Sequence, residues 1–270
     1  MKHLAIVFAL GSALSVGSAQ AAISWNLGSG VNGTDCDNSA NAEFQTTRTC
    51  NPAGAATVPG VSITAWGSTS GVANVNLEQG YVGVYSGGLG VKNADYTGTN
   101  VDTNEGVSPE HATDNNERVD SLLFSFTGAT NGIVLSSIST GWVQTDSDMS
   151  VWAFTGSGAP ASLAGKSYGA LGAGWVLIGN YAGTSSTGAR TINAGGVQSS
   201  YWLIGAYNST SGSAACTGGT CTGGDDYFKV LSLSGDLGTP NTPPNGVPEP
   251  GILALLSLGM LGMASVRRRR

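Results

Sequence analysis

Gly174-Trp175-Val176-Leu177-Ile178-Gly179-Asn180-Tyr181 and Ser200-Tyr201-Trp202-Leu203-Ile204-Gly205-Ala206-Tyr207 are the two stretches on which the fold turns. Each sets an aromatic residue before an apolar run, then a glycine, then a tyrosine two residues on. Runs this short, bounded by glycine and small polar residues, have the length of strands rather than of helices. They are continuous rather than alternating, which is the pattern of strands buried on both faces. The echo predicts two adjacent core strands answering the same packing demand. An aromatic platform for a ligand is the sharper alternative.

Outward from this pair the same grammar repeats. Short apolar or alternating segments bounded by Gly, Asn and Ser predict strands near Val61 to Trp66, Gly80 to Tyr85, Val119 to Phe126, Ile133 to Ser139, Ser150 to Thr155 and Tyr227 to Leu233. The chain carries 42 glycines among 270 residues, with many Ser, Thr and Asn, a composition that disfavours helices. Eight or so strands with turn-rich connections predict an all-β fold, a β-sandwich of which the jelly roll is one form. A flat solenoid is the alternative, and no fixed short period supports it.

The two ends have a different character. Lys2 and His3 precede the apolar run Leu4 to Val16, and Ala19-Gln20-Ala21 supplies a small-x-small cleavage pattern, so residues 1–21 read as a secretory signal peptide. At the other end stand Val247, Pro248, Glu249 and Pro250, then the uncharged Gly251 to Val266, then Arg267, Arg268, Arg269 and Arg270. The prolines hold an extended segment open to a protease. The apolar run of 16 residues is slightly shorter than the ~20 of a comfortable membrane span. The arginines hold their end on the cytoplasmic side, so everything before Val247 faces outward. Between the ends, residues 22–238 form the β-rich domain and 239–246 a Pro/Asn/Gly linker. From Ala22 to Gly246 six Lys and Arg face sixteen Asp and Glu, a net charge of −10. That charge excludes nucleic acid and anionic lipid as partners and suits a solvated extracellular protein.

The C-terminal order resembles the PEP-CTERM sorting signal of Gram-negative bacteria that make exopolysaccharide. The resemblance implies that a membrane-embedded cysteine enzyme, exosortase, recognises Pro248-Glu249-Pro250 and removes the helix and basic tail after a transient stay in the inner membrane. A narrower resemblance lies in the body. Gly88-Leu89-Gly90-Val91, Ser108 to Asn115, Val119-Asp120 with Leu122 to Phe126, Ser199 to Asn208, and Asp226 to Val230 look like a pattern shared by exosortase-dependent surface proteins. It implies an extracellular β-rich protein of no established catalytic activity, at the cell surface or in a biofilm matrix.

Candidate chemistry concentrates between Asp95 and Asp120, where seven Asp and Glu stand with Asn115, Asn116 and His111. Oxygen donors this dense can assemble the six to eight ligands Ca²⁺ takes, and Asp114, Asn116 and Asp120 are the expected ligands. A solvated loop with Asx-turns is the competing expectation, with no cofactor at all. Asp146 with Asp148, and Asp225 with Asp226, are two lesser acidic groups. Cys36 with Cys50 and Cys216 with Cys221 bracket local loops, and export permits disulfides. Four cysteines allow three connectivities, of which the local pairing is expected to be structural. No Gly-x-Ser-x-Gly elbow and no phosphate loop occurs, and His111 is the one histidine left after the signal peptide.

The expectation is therefore a non-enzymatic surface or matrix protein associated with exopolysaccharide. Its runner-up is a carbohydrate-binding module using Trp142, Trp152, Trp175 or Trp202, and a secreted hydrolase comes third.

Overall fold

A computed structural model of the chain describes residues 22–28, 34–36, 44–52, 58–69, 76–96, 105, 108–212 and 215–240. The signal peptide at 1–21, Asn32, Asp102, most of the linker and the C-terminal signal at 247–270 lie outside them. The chain divides into two units, Met1–Gly238 and Thr239–Arg270, and every strand lies in the first.

In chain order the strands are β1 (Ile23–Asn26), β2 (Thr34–Cys36), β3 (Phe44–Gln45), β4 (Thr47–Pro52), β5 (Gly60–Ser68), β6 (Leu77–Gln79), β7 (Tyr81–Tyr85), β8 (Gly88–Lys92) and β9 (Thr113–Asp114). There follow β10 (Asp120–Thr127), β11 (Ile133–Thr145), β12 (Met149–Phe154), β13 (Trp175–Tyr181), β14 (Gly188–Thr191), β15 (Tyr201–Ala206), β16 (Cys216–Thr217) and β17 (Asp226–Leu237). One sheet of eight strands runs β14-β11-β17-β8-β7-β3, with β1 and β9 also on β17. A second of nine runs β16-β13-β12-β15-β10-β5-β4-β2, with β6 on β5. Among the described residues the one helical element is a 3₁₀ turn at Ala94–Tyr96. No helix among them is long and apolar enough to cross a membrane.

The two sheets close on one another because alternation gives each an apolar face. Val61, Ile63 and Ala65 of β5, Leu122, Phe124 and Phe126 of β10, and Trp202, Ile204 and Ala206 of β15 point inward from the nine-stranded sheet. Trp25, Val82, Leu89, Leu135, Ile138, Phe228, Val230 and Leu233 meet them from the other. The buried indoles keep partners: Trp25 Nε1–H donates to the Pro59 carbonyl at 2.8 Å and Trp202 Nε1–H to that of Ser199 at 3.0 Å.

In β15 the continuous apolar run has the expected cause, burial on both faces, whereas β13 is only partly buried and leaves Val176 exposed. The outer face of the nine-stranded sheet is covered by the loop between β12 and β13. Leu163, Tyr168 and Leu171 of that loop pack with Trp66, Trp152 and Leu203 in a second cluster. One expectation needs correction. The echoing strands β13 and β15 are not adjacent, because β12 lies between them and pairs with both. Trp152 stands opposite Leu177 on one side and Leu203 on the other, and the Phe154 ring meets Trp175 at 5.6 Å and Tyr201 at 6.1 Å. The similar sequences are the two flanks of one central strand.

A second difference is β8, a glycine-rich strand that is not among the strands expected from the sequence. It pairs with β7 and touches β17 at Leu89↔Val230. Its glycines serve close approach: a Cβ on Gly90 would stand 2.1 Å from the His111 carbonyl oxygen, and one on Gly88 (φ 115°) 2.3 Å from that of Val230. Gly90→Ala is expected to lower stability by about 1–3 kcal/mol, the range for forced overpacking. Gly188→Ala, where a Cβ meets nothing within 4 Å, is expected to leave the thermal midpoint within error. Paired thermal melts of the two variants check this.

Candidate functional site

Two groups of carboxylates come together inside the sandwich, and only the first was expected as a group. Asp114 at the end of β9 and Asp120 at the start of β10 join Glu105, all three buried, with one oxygen from each within 4.8 Å of the others. Glu105 accepts from Asn93 N–H at 2.9 Å and Asn93 Nδ2–H at 3.0 Å, and Asp114 Oδ1 accepts Asn116 N–H at 3.1 Å. Asn116 does not join the group, since its side-chain amide donates to Glu110 Oε1 at 3.1 Å. The structure thus brings together Asp114 and Asp120, adds Glu105, and turns Asn116 elsewhere. Among the described residues of the segment Glu110 and Arg118 are buried too, and Arg118 Nε–H donates to Asp95 at 2.7 Å.

The second group merges the two lesser acidic pairs. The long ladder of β11 against β17 sets Thr145 opposite Asp226, so the chain leaving β11 carries Asp146 and Asp148 back to the start of β17. One carboxylate oxygen each of Asp146, Asp148 and Asp226 lies within 4.8 Å of the others. Thr145 and Asp225, flanking the group, both take left-handed backbone conformations at φ 66°, unusual for residues with a Cβ and most of all for a β-branched one. Asp148 accepts the N–H groups of Gly183 and, at 2.8 Å, Thr222. Asp226 accepts Asp148 N–H at 2.8 Å and Asn115 Nδ2–H at 2.6 Å. Arg190 faces the group and donates to the carbonyl and hydroxyl of Ser147. The three carboxylates bind four separate segments of chain to one point.

Burial works against charge here. Asp226 is pushed up to about 8 by desolvation, with the Asp148 carboxylate adding to the rise. Desolvation also raises Asp148 and Glu110 and lowers Arg190. Sequence reading missed Lys229, one strand residue among others until its neighbours are seen. Its Nζ lies 3.9 Å from the Trp142 ring centroid and 4.8 Å from that of Tyr85, on which His111 stacks at 4.5 Å. Cation–π attraction holds the charge there, while desolvation lowers Lys229 to about 8 against the opposing pull of Asp114. Either carboxylate group offers three oxygen ligands, fewer than the six to eight of a complete Ca²⁺ site.

The tryptophans separate. Trp202 is fully buried between the sheets, and Trp142 lies on the eight-stranded sheet over Lys229. Trp152 and the partly buried Trp175 line one cleft of about 410 Å³ on the outer face of the other sheet. Disulfides join Cys36 to Cys50, across the β2–β4 pair, and Cys216 to Cys221. Asn208 is buried, with its Oδ1 accepting Thr210 N–H at 2.9 Å, so the Asn-x-Thr triplet there serves as a turn.

The two buried charges bend the stability profile in opposite directions. Asp226 binds its proton more tightly folded than unfolded, so its contribution is complete below 3.8 and is lost as pH rises to about 8. Lys229 binds its proton less tightly folded, so stability returns between about 8 and 10.5. Melting temperature against pH is expected to dip near 8, with Asp226→Asn flattening the acid limb and Lys229→Met the alkaline one. A cation on Asp146, Asp148 and Asp226 competes with the proton on Asp226. The gain in melting temperature from millimolar Ca²⁺ over EDTA is therefore expected to be larger above pH 8 than below it.

No curated protein and no solved structure matches the chain. One protein-family model does, over residues 246–270, and its description is the PEP-CTERM protein-sorting motif. The chain therefore ends in the C-terminal sorting signal of exosortase-dependent proteins, a signal that implies export and processing at the membrane.

Proposed function

We propose that this chain is a non-enzymatic surface or matrix protein, cut from its membrane tail by exosortase and held in the exopolysaccharide outside the cell. The observation that carries the reading is the sorting motif at residues 246–270, at the opposite end of the chain from a secretory leader. The domain between them suits that setting. It is strongly acidic, cross-linked by two disulfides, and built of two many-stranded sheets. Its polar groups are spent on structure. The Asp148 and Asp226 carboxylates receive main-chain donors, and His111 is engaged in stacking on Tyr85. A general base needs a reacting proton within hydrogen-bond reach, and these groups lie against the protein's own backbone and rings.

Mass spectrometry of the protein recovered from outside the cell tests the processing step. The expected product starts at Ala22 and lacks Ile252 to Arg270. Glu249→Ala with Pro250→Ala is expected to leave the uncut chain in the inner-membrane fraction. An extracellular product that keeps Arg270 overturns the reading.

A further inference from the structure

The loop between β12 and β13 lies over the outer face of the nine-stranded sheet and leaves a cleft at its C-terminal end. Trp152, Tyr168, Leu171, Trp175, Leu177 and Ser211 form its floor and walls. The rest of its rim is Gly169, Ala170, Gly172 and Ala173, so along that side only main-chain groups and methyls stand beside the opening. Trp152 and Tyr168 stack on one another at 5.6 Å with 24° between their planes. The Tyr168 hydroxyl is fixed to the Val119 carbonyl at 2.8 Å and to Ser121 Oγ at 3.0 Å. That wall is rigid. Trp175 is braced against Phe154 at 5.6 Å, is partly buried, and lines the cleft.

Three properties define what fits. The cleft contains no charged side chain in a domain carrying a net −10, so its occupant is neutral: a polyanion is repelled and a cation finds no partner in it. At about 410 Å³ it lies in the size range of small-molecule sites and has room for one or two sugar rings rather than for a folded partner. Its lining joins the partly buried Trp175 ring to the main-chain groups of residues 169–173, the pairing suited to a ligand with one apolar face and a hydroxylated edge. We propose that this cleft is a subsite for a neutral pyranose unit of a polysaccharide, stacked on Trp175 and hydrogen-bonded along the 169–173 rim. A second, smaller cleft of about 190 Å³ opens at the N-terminal part of the same loop, lined by Trp66, Tyr201 and the hydroxyls of Ser62, Thr64 and Ser125. One glycan chain has two places to touch on a single face. The inference rests on the reading of the protein as exopolysaccharide-associated and assigns it a contact surface.

The test uses the exported protein, titrated with cellohexaose, laminarihexaose and mannohexaose and, as the charged comparison, polygalacturonate. Binding is followed by calorimetry and saturation-transfer NMR. At least one neutral hexasaccharide is expected to bind, with affinity falling on the order of tenfold or more in Trp175→Ala. Trp142→Ala, on the other sheet, is expected to bind as wild type. Ala173→Arg fills the rim without touching the core and is expected to abolish binding with an unchanged melt, so the test survives a misfolded Trp175→Ala. Failure of all three neutral sugars to bind overturns the proposal. So does binding indifferent to both Trp175→Ala and Ala173→Arg. Retention in the cells' exopolysaccharide fraction separates the two readings. Equal retention of wild type and Ala173→Arg removes the cleft and leaves the matrix assignment standing. Sugar binding that depends on Trp175, without retention of wild type, does the reverse.

Discussion

Strand β17 is bonded along both edges, and that constraint organises the domain. One edge carries β11 over nearly its whole length, from Ile133↔Leu237 to Thr145↔Asp226. The other is shared by three short pieces, with β1 at Ile23↔Gly235, β8 at Leu89↔Val230 and β9 at Tyr227↔Asp114. The first five residues of the strand, Asp226 to Val230, are all buried. Phe228, Val230 and Leu233 fill the core, and Lys229, forced to the other face, is roofed by Trp142 and Tyr85. The glycines of β8 follow from the same crowding, since nothing larger passes between β17 and the 111–112 segment.

The acidic character of the chain is resolved at the start of that strand. Carboxylates at the rim of a sandwich ordinarily stay in water, where their repulsion is screened. Here Asp226 is drawn inside because β17 begins there and because Asp148 N–H and Asn115 Nδ2–H need an acceptor. Once it is inside, burial favours its neutral form, which relieves repulsion from Asp148 and Asp146 and leaves Arg190 to face the remainder. The group links the β11–β12 connection, the Gly183 and Thr222 loops and the head of β17 by hydrogen bonds rather than by apolar contact. Glycine-rich loops supply few apolar anchors, so hydrogen bonds are the means left to fix them.

All eight strands expected from the sequence are present, because each carries enough apolar residues to declare its period. What escaped reading was short or glycine-rich. β8 hides as Gly88-Leu89-Gly90-Val91, since glycine chosen for close approach looks the same in sequence as glycine chosen for a turn. The neighbour relation of β13 and β15 escaped because local pattern reports the residues a strand carries, not its partner, and both strands set similar residues against the same central strand β12. The site was legible in the same partial way. Asp146, Asp148 and Asp226 were visible as acidic residues, but about 80 residues separate the first two from the third. Only the β11–β17 register joins them. Asn116 failed for a local reason: an amide two residues after Asp114 folds back on its own turn, and Glu110 accepts its side chain.

The tail and the domain divide the problem of display between them. A sorting signal read by a membrane enzyme needs no fold of its own, and its information lies in the order of residues 246–270. In the proposed setting outside the cell the domain has neither chaperones nor a reducing pool, and its devices suit that setting. The Cys36–Cys50 link lies within the core cluster and fastens the β2–β4 edge. The loop between β12 and β13 shields the apolar outer face of β12 and β15, so that among the described residues Val176 is the one large hydrophobic side chain left well exposed. A nine-stranded sheet with a bare apolar face would associate with its own copies. Covering that face with a loop of mostly glycine, alanine and serine adds one charge, that of Lys166, and the outer surface of the sheet stays close to neutral inside an otherwise acidic protein. Neutrality there is a by-product of shielding, and it leaves that face open to an uncharged neighbour while the rest of the domain repels anionic ones.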